Sequence, residues 1–306
     1  MTKIKVVGIG GSGGNVITRM SKSKIRGVEL VAINTDAQDL KMTKANVKLR
    51  IGEKVTQGLG TGMNPEIGKK AAVESRDKIS EILKGSDMIF VTGGFGGGTC
   101  TGAAPVVAEI AKNTGALTCA VATKPFSFEG TFRRKLAEQG LRRLKEKVDS
   151  LIVIYNDRLL EILEPKTSVL DAFWFCDDIL RQAVSGISDL ILLPGIVNVD
   201  FADIKQVMAN SGTALFGVGR ARGEKRAETA ARLALNSPLL NLSCKGAKGV
   251  LFNVSGGKDM ALSEIEEIAK FITQEVNPEA RVIFGAVYDS KMPKGEIKVT
   301  MIATGF

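Results

Sequence analysis

Residues 92–102 read Thr92-Gly93-Gly94-Phe95-Gly96-Gly97-Gly98-Thr99-Cys100-Thr101-Gly102. They stand between 87–92, which has the pattern of a buried strand, and 103–113, which has the period of a helix. So glycine-rich a run leaves successive backbone N–H groups free to form an anion-binding nest, with the Thr99 and Thr101 hydroxyls as further donors. Without a ligand it would only cost conformational entropy. A related loop comes earlier: Gly8-Ile9-Gly10-Gly11-Ser12-Gly13 fits GxGxxG between a strand at 3–9 and a helix at 14–24. Alone, that loop reads as a dinucleotide site with Asp36 near the ribose-binding spacing, or as a tight turn. Two such loops on the C-terminal edge of one parallel sheet suit a nucleotide with several phosphates. GxxxxGK[ST] is absent, which excludes a P-loop ATPase.

Outward from these loops, the first half alternates strands and helices. Residues 28–34 (VELVAIN), 116–122 and 151–155 (LIVIY) read as strands, and 66–83 and 131–146 as helices. This βαβ series predicts a parallel, Rossmann-like sheet with helices on both faces. Pro165 stops the preceding element, and Ser168 with Asp171 three residues on forms a capping signal. From Ala172 and Phe173 through Cys176, Ile179, Ala183 and Ile187 to Leu190, apolar positions keep a helical period. The expected helix is about 36 Å long and ends at a Pro194-Gly195 turn. Beyond it, a helical stretch at 201–210 precedes strands at 213–219, 249–254, 281–288 and 296–303, with helices at 223–236 and 261–276. That pattern predicts a smaller α+β domain, its strands packed against one helical layer.

Composition narrows the chemistry. With 44% hydrophobic and 25% charged residues among 306, the chain is an ordinary globular protein of about two domains. There is no histidine, which excludes Ser-His-Asp hydrolysis and imidazole metal sites. No metal-ligating cluster is expected. Cys100, Cys119, Cys176 and Cys244 are widely spaced without a CxxC pair and read as free thiols in a reducing, cytoplasmic compartment. No apolar run is long enough to span a membrane, and the strand-like start shows no leader. Of the net charge of +9, +7 falls in residues 1–50. A solvated surface is the plain reading of that excess; DNA, a membrane surface or an anionic ligand are the others. No zinc finger or aromatic-interleaved basic stripe points to specific nucleic-acid binding.

Residues 93–105, GGFGGGTCTGAAP, resemble the GGGTGTG signature of the tubulin superfamily. The wider chain resembles the FtsZ family within it, through AINTDAQ (32–38), IGEKVTQGLGTGMNPEIGKKAA (51–72), TKPFSFEG (123–130), LIVIYNDRLLEI (151–162), DDILRQAVSGISDLI (177–191), NVDFADIK (198–205), NSPLL (236–240), IFGAVYD (283–289) and IATGF (302–306). The resemblance implies a tubulin/FtsZ-like α/β fold: a GTP-binding domain over 1–166, a central helix over 167–193, and a synergy loop with a C-terminal α+β domain over 194–306. It implies a GTPase that uses GTP/GDP and Mg²⁺ and polymerises head to tail with itself into cell-division filaments at the division site. Membrane-anchor and division-regulator partners are expected through a tail that would begin where this sequence stops. The rival readings are a non-hydrolysing GTP-binding relative that regulates assembly and an NAD-dependent oxidoreductase.

By the same resemblance Gly11, Ser12, Gly13, Gly14 and Asn15 form the first nucleotide loop, joined by Asn34, while Gly97, Gly98, Thr99, Cys100 and Thr101 hold phosphates. Glu129 and Arg133 reach the ribose and phosphate side, and Asn156, Phe173 and Asp177 match the base pocket. An aromatic face can stack on a purine. A carboxylate can accept from guanine N1–H and N2–H together, a donor pair that adenine lacks. Core packing is the other reading of Phe173, and a helix-surface charge that of Asp177. Asn198, Asp200 and Asp203 match the NxDxxD loop that completes the neighbouring subunit's site, its two carboxylates polarising a water; helix capping is the other role open to Asp200. The chain departs from the family pattern at Ser12, Gly14, Cys100 and Tyr155. Cys100, in a nest at a helix N-terminus, is expected to have a lowered pKa and to be shielded from alkylation by nucleotide.

Overall fold

The computed structural model describes residues 2–23, 27–161, 163–164, 166–192, 195–237, 243–289 and 292–306. The expected breaks at Pro165 and Pro194 and the 238–240 end of the NSPLL block lie outside these residues. The chain forms two compact units, Met1–Ser185 and Gly186–Phe306. No helix among the described residues is long and apolar enough to cross a membrane.

The first unit opens with β1 (Ile4–Ile9), α1 (Gly10–Ser23), β2 (Val28–Asn34), α2 (Ala37–Met42), β3 (Val47–Arg50), α3 (Glu53–Thr56), α4 (Pro65–Glu74) and α5 (Arg76–Leu83). It continues through β4 (Met88–Gly94), α6 (Gly98–Asn113), β5 (Leu117–Lys124), a 3-10 turn (Ser127–Glu129), α7 (Thr131–Lys145), β6 (Ser150–Tyr155), α8 (Asn156–Leu159) and most of α9 (Val169–Leu192). Its strands lie in the order β3-β2-β1-β4-β5-β6, each pair parallel. The chain winds outward from β1 to β3, then returns to lay β4 on the other side of β1. That reversal makes a switch point, where the strands' C-terminal ends open a crevice for ligands. β1, β4 and β5 are buried almost throughout, as parallel strands covered on both faces must be.

The expected parallel sheet is present, but both glycine loops behave differently from the expectation. α1 begins at Gly10 rather than 14 and α6 at Gly98 rather than 103, so the loops are the first turns of their helices. Glycine's poor helix propensity conceals such starts in a sequence; close packing imposes them. A Cβ on Gly13 would lie 2.6 Å from the Gly8 carbonyl carbon, so the strand and helix meet backbone to backbone. α6 meets α4 in the same way: a Cβ on Gly102 would run into the Pro65 carbonyl oxygen and lie 2.7 Å from the Lys69 nitrogen. The expected helix over 66–83 is two helices divided at Ser75, whose hydroxyl accepts from the Gly52 N–H at 3.2 Å. α9 starts as expected, with the Ser168 hydroxyl accepting from Asp171 N–H at 3.1 Å.

In the second unit, the end of α9 is followed by α10 (Phe201–Met208), β7 (Gly212–Arg222), α11 (Arg226–Leu235), β8 (Gly249–Gly256), α12 (Leu262–Gln274), β9 (Arg281–Tyr288) and β10 (Glu296–Thr304). The strand order is β7-β10-β8-β9; β10 runs antiparallel to both neighbours, and β8 and β9 are parallel. Ala227, Ala230, Ala231 and Ala234 of α11 and Ile268 and Ile272 of α12 share one core with Phe252, Val254 and Met301 of the sheet. Arg226, at the start of α11, clamps this layer through Nε and Nη2 to Glu264 at 2.6 and 2.8 Å and Nη1 to Asp259 at 2.6 Å.

Gly102→Ala tests the α4–α6 contact. Alanine favours an isolated helix, yet the added methyl meets backbone that cannot rotate away. The variant is expected to lose about 1–3 kcal/mol in urea unfolding, and a gain in stability would refute the contact.

Candidate nucleotide-binding site

The first turns of α1 and α6 open onto one cavity of about 290 Å³. Both helices lack an acidic residue in the first turn, and α6 starts from Gly97 without a side-chain cap. Their leading N–H groups therefore have no partner of their own kind and present the positive ends of two helix dipoles. Two glycines are needed for backbone reasons. Gly10, with φ +71°, turns the chain from β1 into α1, and Gly96, with φ +112°, turns it towards α6.

Of the expected phosphate-side residues, Gly11, Ser12, Gly97, Gly98, Thr99 and Cys100 line the cavity. Nothing stands within 4 Å of a Cβ built on Gly97, so its missing side chain leaves the cavity open. Gly98 also serves the fold, since its Cβ would lie 2.6 Å from the Asn64 nitrogen. Ser12 Oγ accepts from the Gly94 N–H at 2.7 Å, fastening α1 to the end of β4. Thr99 belongs to a hydroxyl cluster, 2.8 Å from Thr35 Oγ1 and 3.3 Å from Thr61 Oγ1. Thr61 lines the cavity and was not anticipated.

Five other residues expected at the nucleotide do not line it. Gly13 is buried against Gly8, and a Cβ on Gly14 would lie 2.8 Å from Thr43 Oγ1, so both let α1 pack closely. Asn15 is exposed on α1. Asn34 donates to Asp39 Oδ2 at 2.7 Å and accepts from Asp36 N–H at 3.2 Å, bracing the entry to α2. Thr101 is not an additional donor to the cavity: its buried Oγ1 accepts from Gly96 N–H at 2.9 Å and holds the glycine loop closed. Asp36, the ribose acid of the dinucleotide reading, caps α2 through bonds from Gln38 and Asp39 N–H.

The expectation for Cys100 is overturned. Its backbone lies on the cavity, but the thiol turns inward, so that a Cβ on Gly93 would lie 2.6 Å from Sγ. Burial pushes the thiol up to about 12, and exclusion from water outweighs the helix N-terminus. Cys100 is helical and not among the positive-φ residues, so it does not strain the loop. All four cysteines are free and buried.

The base-side residues meet in the same cavity: Glu129, Arg133, Asn156, Phe173 and Asp177. Glu129 accepts from Phe126 N–H at 2.9 Å and pairs with Arg133 at 2.9 Å. Phe173 is 39% exposed, which excludes full core packing, and stands edge-on to Phe126 at 5.4 Å. Asn156 is buried, and its side-chain oxygen has no hydrogen-bond partner. Among the buried side-chain atoms without a partner in the described residues, it is the one whose residue lines the cavity. Asp177 is 9% exposed, so it is not a surface charge, and burial raises its carboxyl to about 6 against the opposing pull of Arg19. Tyr155 lies under Lys124 Nζ at 5.3 Å.

The second unit carries the other expected group. Val197 bridges Ala286, and Ile196 N–H donates to the Ala286 carbonyl at 2.7 Å, which pins the segment to β9. Asn198 Oδ1 accepts from Gly195 N–H at 2.7 Å. Asp200 does cap α10, accepting from Ala202 N–H at 3.0 Å, and Asp203 sits in that helix's first turn. All three side chains are exposed. Part of the N-terminal basic excess is absorbed within the first unit: Lys5 pairs with Glu29, Arg19 with Asp177 and Arg50 with Glu53.

Two glycine-opened helices at the switch point of a parallel sheet define a nucleotide-binding protein of the doubly wound α/β class. Comparison with known proteins narrows this. Residues 3–164 match the Tubulin/FtsZ family, GTPase domain, and residues 212–306 the FtsZ family, C-terminal domain. The chain belongs to the tubulin/FtsZ family. It is similar to an FtsZ dimer of M. jannaschii at 48% identity, over 100% of this chain and 88% of that one, with a TM-score of 0.95. A W319Y mutant of M. jannaschii FtsZ matches at 48% identity over 99% of this chain and 91% of that one, also with a TM-score of 0.95. The GDP-bound monomer of CetZ1 from Haloferax volcanii, 22% identical over 100% and 94% of the two chains, has a TM-score of 0.86 and shows the fold alone.

Cys100 should resist native alkylation whether or not nucleotide is present, and react once urea exposes it. Peptide mass spectrometry reads this directly, and rapid native labelling would contradict the buried thiol.

Proposed function

We propose that this chain is a GTPase that binds GTP in the cavity of the first unit, assembles head to tail in the cytoplasm at the division site, and hydrolyses GTP between subunits. One observation carries the choice of guanine: Asp177, a buried carboxylate, lines the cavity, while the other acid there, Glu129, is paired with Arg133. An acid there would repel phosphate. It is suited instead to accept from N1–H and N2–H of guanine, with Phe173 beside the base and the unpartnered Asn156 oxygen accepting a further donor.

The orphan N–H groups of α1 and α6 would hold the phosphates and take up charge that develops on them. Among the described residues, no group of three or more Cys, Asp or Glu side chains could hold a metal. Mg²⁺ would therefore be carried mainly by phosphate oxygens, with the hydroxyls of Thr99 and Thr61 within the same cavity. When bound, it would neutralise phosphate charge.

Self-assembly is supported by the dimer form of the 48%-identical M. jannaschii protein. Asp200 and Asp203 are exposed, which suits carboxylates that orient water in another copy's site. A contact joining unlike faces does not close on itself and builds filaments. With no histidine in the chain, carboxylates are the natural groups for this step.

Asp177→Ala should remain folded yet lose its preference for GTP over ATP by about tenfold or more, measured by nucleotide titration. Unchanged GTP affinity would remove Asp177 from base recognition.

Hydrolysis per molecule should rise with protein concentration and vanish below an assembly threshold. Asp200→Ala should still bind GTP and assemble but hydrolyse poorly; mixed with wild type, it should lower activity by more than dilution. Flat specific activity together with simple dilution would mean that each chain holds a complete site.

A further inference from the structure

We propose that Arg19 is a positioning residue for base recognition: held between the Trp174 ring and the Asp177 carboxylate, it keeps that carboxylate ionised and aimed at the guanine edge. The inference rests on the GTP reading above. It adds a residue that lies outside both glycine loops and does not line the cavity.

Arg19 lies in the last part of α1, the helix whose first turn faces the phosphate side. Its Nε donates to Asp177 Oδ2 at 3.2 Å, and its guanidinium carbon sits 5.3 Å from the Trp174 ring centre. Trp174 and Asp177 are three residues apart on α9 and so share a face. The aromatic ring and the carboxylate fix the guanidinium from two directions. Only one carboxylate oxygen is engaged, by one donor, and this is the single side-chain hydrogen bond of Asp177 among the described residues. A bidentate pair would occupy both oxygens. Here Oδ1 is left for a ligand, in a residue that lines the cavity.

The charges around Asp177 are one-sided. Burial pushes its carboxyl up, Arg19 pulls it down by charge and hydrogen bond, and Asp178 on the same helix pushes it up. Asp178 is itself engaged by Arg181 and Gln182, at 2.7 Å each. The neighbouring Cys176 thiol is pushed up to about 12 by burial, by Asp177 and by Glu129, and stays neutral. Arg133, the arginine that does line the cavity, is paired with Glu129. Among the described residues Arg19 is thus the one cation in contact with Asp177. Without it, burial and Asp178 act unopposed and the carboxyl titrates nearer neutrality. A protonated carboxyl loses one acceptor and gains a donor, so it cannot take both guanine N–H groups. The sign follows: guanine affinity is present above the titration midpoint of Asp177 and falls below it.

The test is GDP and ADP binding from pH 5.5 to 8.5 by wild type, Arg19→Met, Arg19→Lys and Asp177→Ala. The absence of histidine leaves few other groups to titrate in this range. Phosphate titration cancels when each variant is divided by wild type at the same pH. Wild-type GDP affinity should weaken about tenfold per pH unit below its midpoint. Arg19→Met should approach wild type at pH 8.5 yet be about tenfold or more weaker at pH 6.5, its midpoint moved upward. Arg19→Lys, which keeps the charge, should stay close to the wild-type profile. Loss of GDP binding by Arg19→Met by one factor at every pH, or no loss at any pH, would overturn the role given to Arg19. Failure of the underlying reading looks different: wild type would bind ADP as well as GDP, or Asp177→Ala would bind GDP as wild type does, and the proposal would fall with it.

Discussion

The phosphate side of the site depends on backbone meeting backbone where α1 packs on β1 and α6 packs on α4. Gly8 against Gly13 and Gly102 against the carbonyl of Pro65 bring α1 and α6 closer to their neighbours than any side chain would allow. That approach places two helix N-termini with no acidic residue in the first turn at one crevice, and their leading N–H groups and dipoles supply positive potential. Several glycines that look like phosphate ligands are therefore first packing residues. Gly13 and Gly14 are required by packing and do not line the cavity, Gly97 lines it with open space at its Cβ position, and Gly98 both packs closely and lines it.

The other half of the site is governed by the cost of burying charge. Asp177 is an acid largely removed from water, opposed by one arginine that is itself held by an aromatic ring. A stable fold gains nothing from leaving a carboxylate only half engaged, nor from an Asn156 oxygen with no partner. Both features are costs that a bound base can offset. Cys100 shows the same physics in the opposite sense: a thiol beside a helix N-terminus is silenced because burial dominates.

The two units differ in how they gain order. The first relies on a wide parallel sheet and an alanine-rich α6 that can lie close to it. The second has a smaller mixed sheet, and it adds the ionic clamp of Arg226 on Glu264 and Asp259 between the starts of its two covering helices. Within it, the segment with Asn198 and Asp200 is fixed by its own hydrogen bonds and by Ala286, so its acids are presented rather than buried.

Read alone, the sequence determined the longer strands and helices of both units, because continuous apolar runs and helical periods are local properties; strand 281–288 and the start of α9 show this, whereas α2, β3, α3 and α8, of four to six residues each, are too short to show a period and were not legible. It also determined the chemical kind of site, since a run such as GGFGGGTCTG has few uses, and no histidine means no imidazole chemistry. Helix starts at Gly10 and Gly98 were not legible, because glycine propensity argues against a helix and only packing enforces it. Nor were the inward turn of Cys100, the loop-holding role of Thr101 or the approach of Thr61 to Thr99. Arg19 and Asp177 are separated by 158 positions, and no local pattern joins them. Partners of that kind are chosen by which helices the sheet brings together, and burial then sets the strength of their charges. That is why tertiary structure alone decided which of the candidate residues face the nucleotide cavity.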